Sequence, residues 1–245
     1  MSACSEERNL DVSLEFLGAT DGIVTGSANL VTITRCGVTR KILVDYGWFQ
    51  GTDEYLNDER TLVGEDIDCI LLTHSHLDHC GGIPLLFKTD GDMIPFNGNI
   101  YGSKETLRQA EHILRDSAKL NSRKLRGFKY GFEKVKASIV RDKEKAEREE
   151  AKSKEIAALD SAISSVEEEQ DKIYFTLDDV EEAINHFYPL EFDVNREPIK
   201  EITLFEGIDA KFIPISHING STMIEVTAHL GCEKYTILPE GLIID

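Results

Sequence analysis

Leu71-Leu72-Thr73-His74-Ser75-His76-Leu77-Asp78-His79-Cys80-Gly81-Gly82 decides how the rest of the chain is read. Three histidines and one aspartate fall within six residues, directly after an apolar run and just before a glycine pair. His74 and His76 are two apart, so on an extended backbone leaving a strand they point the same way and can grip one ion. Asp78 and His79 follow where the chain turns, which aims them at the other side of the same spot and suits a second, adjacent ion. Neutral imidazole and carboxylate are the ligands zinc takes when no thiolate is offered. A lone histidine is more often a packed or surface residue, but four such groups in an H-x-H-x-D-H array favour a metal centre.

Two distant segments become interpretable beside that array. Lys41 to Asp45 (KILVD) is a buried-type strand ending in an acid, which sets a carboxylate at a sheet rim where it can orient a metal-bound imidazole from behind. Phe212 to Ser221 (FIPISHINGS) is again a strand delivering a histidine to a Gly-Ser turn, and His217 is the natural third imidazole for the first ion.

Around these residues the chain alternates strand and helix. Residues 12–17, 28–34, 40–44 and 69–73 are short, rich in β-branched and aliphatic side chains, and separated by Gly, Asn and Asp. From Ser103 the spacing turns helical through Thr106, Ala110, Ile113, Leu114, Ala118 and Leu120, with Ser103 and Thr106 offering capping oxygens. Residues 176–187 read as an amphipathic helix with acids in its first turn, and strands resume at 201–205, 211–215, 223–228 and 235–238. Strand blocks flanking a helical block predict a layered α/β sandwich. Between Glu133 and Asp171 there is no Gly or Pro, and Lys, Glu and Ala dominate. That composition predicts a long charged helical arm that is solvated, folds back, or pairs with a protein partner. The expected segments are a core over 1–122, the charged insertion over 123–172, and a return of the core over 173–245.

Composition narrows the function classes. The 245 residues hold 45 acidic and 27 basic side chains, a net charge of -18. A uniformly acidic surface repels a phosphate backbone. The charge is not uniform, however: residues 101–132 carry 8 basic and 3 acidic groups. Within that island Arg123, Lys124, Arg126 and Lys129 interleave with Phe128, Tyr130 and Phe132, a composition able to meet phosphates and stack on bases, or to pair with the acidic arm. Five cysteines without C-x-x-C spacing argue against a disulfide framework and a thiolate zinc site. No apolar run approaches membrane length, and the N-terminus lacks a signal-peptide pattern, so a cytoplasmic protein with no membrane association is expected.

The stretches GATDGIVTGSANLVTI (18–33), KILVDYGWFQG (41–51), LLTHSHLDHCGGIP (71–84), YGSKETLRQAEHILRDSAKL (101–120), YFTLDDVEEA (174–183) and SHINGS (216–221) together resemble the metallo-β-lactamase domain of the β-CASP RNA-processing nucleases. The H-x-H-x-D-H array alone indicates only the metallo-β-lactamase superfamily. The Val24-Thr25-Gly26-Ser27 turn, the Asp116-Ser117-Ala118-Lys119 helix end and the His-Ile-x-Gly-Ser element narrow it. The resemblance implies an αββα sandwich and two zinc ions, the first on His74, His76 and His217, the second on Asp78 and His79, with Asp45 in support. It also implies attack on a phosphodiester of RNA by a hydroxide between the ions, oriented by Asp78, making Asp78 and His79 the catalytic pair.

The same resemblance leaves gaps. The family places a zinc-bridging Asp in a Ser-Gly-Asp-Leu-Gly type turn after the next strand, whereas this sequence reads Tyr235-Thr236-Ile237-Leu238-Pro239-Glu240-Gly241-Leu242-Ile243-Ile244-Asp245, with Glu240 out of register. The β-CASP cap and later histidines are not in the sequence, so the sandwich is expected to be incomplete, the second metal site short of ligands, and turnover weak. Two other functions fit the residues: hydrolysis of a small ester or thioester, and a non-catalytic partner of a nuclease that assembles through the arm.

Overall fold

A computed structural model of the chain describes residues 9–88, 94–120, 140–141, 174–192, 199–231 and 233–238. The charged arm, the basic island with Arg123, Lys124, Arg126 and Lys129, and Glu240 lie outside the described residues. Two compact units are present, one of residues 1–115 and 178–245, the other of residues 116–177.

The strands of the first unit form two sheets. β1 (Leu10–Phe16), β2 (Asn29–Arg35), β3 (Val38–Val44), β4 (Cys69–Leu71), β5 (Asn99–Ser103) and β6 (Phe187–Leu190) follow one another in a six-stranded sheet. β1 to β3 are antiparallel, and β3 to β6 run parallel. The second sheet is antiparallel with β7 (Lys200–Phe205), β8 (Ile208–Pro214), β9 (Thr222–Leu230) and β10 (Glu233–Ile237) in the order β10-β9-β8-β7. Helix α1 (Leu77–Cys80) follows β4, helix α2 spans residues 104–120 after β5, and helix α3 (Leu177–Asn185) precedes β6.

The period of two in the strands decides the packing. Val31 and Ile33, Ile42 and Val44, and Cys69 and Leu71 form one buried cluster with Ile208, Ala210 and Phe212 and with Ile224, Val226 and Ala228. These are alternate residues of facing sheets, so the cluster is the interior of a β-sandwich. The intervening residues Leu30, Leu43 and Ile70 are buried as well, which means the first sheet is covered on both faces. α2 supplies part of that cover, since Gly102 in β5 leaves only enough room for the Leu107 side chain against it. Arg115 on α2 then meets Glu181 on α3 in a bidentate pair, Nε to Oε1 and Nη2 to Oε2 both at 2.7 Å.

Two strands were not anticipated from sequence. β5 reads Asn-Ile-Tyr-Gly-Ser, whose polar and glycine residues look like turn punctuation, yet it is hydrogen-bonded between β4 and β6. β6 begins at Phe187, where helical spacing had continued; α3 stops at Asn185 instead. Pro189 is tolerated in β6 because the strand is at an edge and needs no donor on its outer side. The consequence for function is geometric: β3, β4 and β5 are parallel, so Asp45, Thr73 and Ser103 emerge together at one rim of the sheet. Side chains at the carboxyl ends of parallel strands are where α/β sheets put their chemistry.

Candidate metal centre

Past Leu71 the chain leaves β4 and reaches His74, which is buried. His76 sits just before α1 with an extended backbone (φ -61, ψ 147), and Asp78 and His79 lie in the single turn of α1. His217 arrives from β8 on the 215–221 loop. That loop organises itself: Ile215 N–H donates to the Ser221 carbonyl at 3.0 Å, and Ile218 N–H donates to Ser221 Oγ at 3.1 Å. It is joined to the first sheet by Thr222 N–H, which donates to the Thr73 carbonyl at 3.0 Å.

The three imidazoles converge. One ligand nitrogen from each of His74, His76 and His217 lies within 4.8 Å of the others. His217 Nε2 and His76 Nδ1 face each other at 3.3 Å. Nitrogens about 2.05 Å from one tetrahedral ion are separated by roughly 3.3 Å, so this pair has the span of two zinc ligands. The donor set therefore fits a metal: three imidazoles, no competing thiolate, one buried, one half-buried and one exposed. Burial, followed by the neighbouring rings of His79, His76 and His217, pushes His74 down to about 2, which keeps it in the neutral form that ligates.

Asp45 explains how the rings are oriented. It is fully buried and sits at φ 59, a left-handed position that Asp accepts more readily than most residues. Oδ1 accepts the Thr73 N–H at 2.9 Å, and Oδ2 accepts both the Thr73 hydroxyl and His79 Nδ1–H at 2.7 Å. Thr73 has one hydroxyl proton and donates it to the carboxylate, so its oxygen accepts from His74 Nδ1–H at 3.0 Å. One carboxylate thus fixes two imidazoles, His79 directly and His74 through Thr73, with Nδ1 of each ring as the protonated nitrogen and Nε2 as the nitrogen that carries the lone pair. His79 Nε2 in turn lies 3.8 Å from Asp78 Oδ2. Asp78 and His79 form a two-donor pair beside the three-imidazole group.

Backbone contacts seat this turn closely. A Cβ on Gly47 would overlap the Asp78 carbonyl, Ser27 N–H donates to that same carbonyl at 2.8 Å, and Gly47 N–H donates to the Ser27 carbonyl at 2.7 Å. Arg60 Nη2 donates to the carbonyls of Gly26 and Gly47, with its guanidinium over the rings of Tyr46 and Phe49. Cys80 is buried, its thiol pushed up by burial and donating to the Ser75 carbonyl at 3.2 Å, so it packs and takes no part as a thiolate. Sequence reasoning named His74, His76, Asp78, His79, His217 and Asp45. It missed Thr73, although that residue lies inside the array, and Arg60, whose role comes from a loop geometry no spacing announces.

The profile of the Metallo-beta-lactamase superfamily matches residues 23–178, well over half of the chain. Ribonuclease TTHA0252 of Thermus thermophilus is 36% identical over 98 residues, 40% of this chain and 21% of that protein. Integrator complex subunit 11 of Danio rerio is 28% identical over 89 residues, 33% of this chain and 14% of that protein. Ribonuclease Z of Bradyrhizobium diazoefficiens is 39% identical over 80 residues, 32% of this chain and 25% of that protein. The matches thus span a quarter or less of these relatives' own lengths. Human tRNase Z, short form, superposes with a TM-score of 0.41 at 17% identity, covering 93% of this chain and 68% of that one.

Proposed function

Because the chain belongs to the metallo-beta-lactamase superfamily, we propose that it is a metal-dependent hydrolase of RNA phosphodiester bonds, of the β-CASP type, with zinc as its metal. The observation that carries the metal is the convergence of His74, His76 and His217 from segments 141 residues apart in sequence. The RNA substrate rests on the relatives: two of the three partial matches are named as ribonucleases.

In this reading His74, His76 and His217 hold the first zinc, and Asp78 with His79 faces the second. When bound, zinc lowers the pKa of water and neutralises charge developing on a phosphoryl group. The protein's own contribution is orientation. Asp45 and Thr73 hold His74 and His79 with Nε2 forward, and the Asp78 carboxylate, half-exposed beside His79, accepts a proton from an attacking water and aims it. In the same reading Arg123, Lys124, Arg126 and Lys129 meet the RNA backbone, and the charged insertion over 123–172, between core segments 1–122 and 173–245, meets a protein partner.

The test is a paired assay of the zinc-loaded chain on end-labelled single-stranded RNA and on a panel of thioesters and lactams. Chelator-sensitive RNA cleavage is the expected result. RNA left intact while a thioester turns over would assign the site to carbonyl chemistry instead, and no turnover on either with zinc bound would favour the assembly role.

A further inference from the structure

We propose that Gln109 is a positioning residue that holds the His74–His76 segment and the His217 loop in register, so that the three imidazoles stay close enough to share one ion. This rests on the metal reading above. Ser103, the last residue of β5, and the α2 residues Thr106 and Gln109 are spaced three apart along one face of the helix start. Ser103 Oγ accepts the Thr106 N–H at 3.0 Å, capping the helix, and donates to the Gly220 carbonyl at 2.7 Å. Thr106 Oγ1 donates to the same carbonyl at 2.8 Å. Gly220 has φ +90, and a Cβ there would press on Ser103 Oγ, Glu105 Cβ and Thr106 N, so the far end of the loop is seated directly on α2.

Gln109 extends that seat to the other ligand segment. Its Nε2 donates to the Asn219 carbonyl at 3.0 Å, two residues beyond His217. Its Oε1 accepts the Ser75 hydroxyl at 2.9 Å, and Ser75 stands between His74 and His76. The amide orientation is forced: the Asn219 carbonyl can only accept, so the amino group must face it and Ser75 must donate to the oxygen. His217 is exposed, and Gln109 ties its 215–221 loop to the segment carrying His76, whose Nδ1 lies 3.3 Å from His217 Nε2.

The experiment measures zinc affinity of the full chain by competition with a chromophoric chelator, alongside the thermal midpoint of the metal-free chain. Gln109→Met keeps length and removes both hydrogen bonds; Gln109→Ala removes the side chain; Ser75→Ala and the Ser75→Ala/Gln109→Met double variant complete a cycle. Supporting interactions of this kind are worth about 10-fold in metal affinity. The expected result is a roughly tenfold weakening for Gln109→Met with the metal-free midpoint little changed, and a double variant no weaker than the worse single one. Wild-type affinity in Gln109→Met, additive losses in the cycle, or a midpoint that falls in step with affinity in both Gln109 variants would each overturn the positioning role. A wild-type chain that takes up no zinc would overturn the metal reading itself, a distinguishable failure.

Discussion

Asp45 Oδ2 accepts His79 Nδ1–H at 2.7 Å from a position with no solvent exposure, and the same oxygen accepts the Thr73 hydroxyl at 2.7 Å. An amide cannot reproduce this, because it carries one acceptor oxygen where the carboxylate uses two. Asn also tolerates the left-handed backbone at residue 45, so Asp45→Asn isolates the hydrogen bonding from backbone strain. Zinc affinity of Asp45→Asn is expected to fall by about 10- to 100-fold, measured by chelator competition. Undiminished affinity would mean that His79 and His74 are held by packing alone.

Thr73 has a different signature. Thr73→Val keeps the shape but removes the hydroxyl between Asp45 Oδ2 and His74 Nδ1, leaving a buried ring N–H without its acceptor. Such a group costs about 1–3 kcal/mol, so urea unfolding of the metal-free chain should show a loss in that range. Thr73→Ser, which restores the hydroxyl, is expected to recover most of it. Equal losses in both variants would locate the effect in the methyl group's packing.

Much of this was legible in the sequence, and the reasons differ by residue. The H-x-H-x-D-H array and His217 could be read because each follows a strand of β-branched and aliphatic residues and precedes glycine, and a strand fixes where its next residue points. The strand pattern also predicted the sandwich, since its interior is made of alternate residues. β5 and β6 were hidden because what makes them strands is pairing with neighbours, one carrying Gly102 and the other Pro189. Gln109 was hidden for a related reason: its partners are 34 and 110 residues away, and a glutamine on a helix shows no sequence mark of what it bridges.

Gly47 gives a steric prediction. A Cβ there would overlap the Asp78 carbonyl and carbon, which are backbone atoms with no rotamer to yield. Gly47→Ala must therefore push the α1 turn away from the β3 rim, breaking the Ser27 contacts at 2.7 and 2.8 Å. A loss above about 3 kcal/mol is expected, in the range of severe single substitutions, read by urea unfolding or by failure to purify soluble chain. Gly37→Ala serves as the contrast, since nothing lies within 4 Å of its Cβ and its only burden is a φ of +78.

His74 makes the metal-free chain acid-sensitive in a stated window. Its imidazole is held at about 2 when folded, against an ordinary value of 6.5. The unfolded chain therefore binds a proton below pH 6.5 that the folded chain refuses, and stability falls as pH drops from 6.5 towards 2. One proton sets the slope at no more than about 1.4 kcal/mol per pH unit, added to whatever the carboxylates contribute. Urea midpoints of chelator-treated chain at pH 7.5 and 5 should differ more for the natural sequence than for His74→Gln, which has no proton to refuse. If the two chains lose stability in parallel, the histidine cluster opens and admits solvent before the chain unfolds.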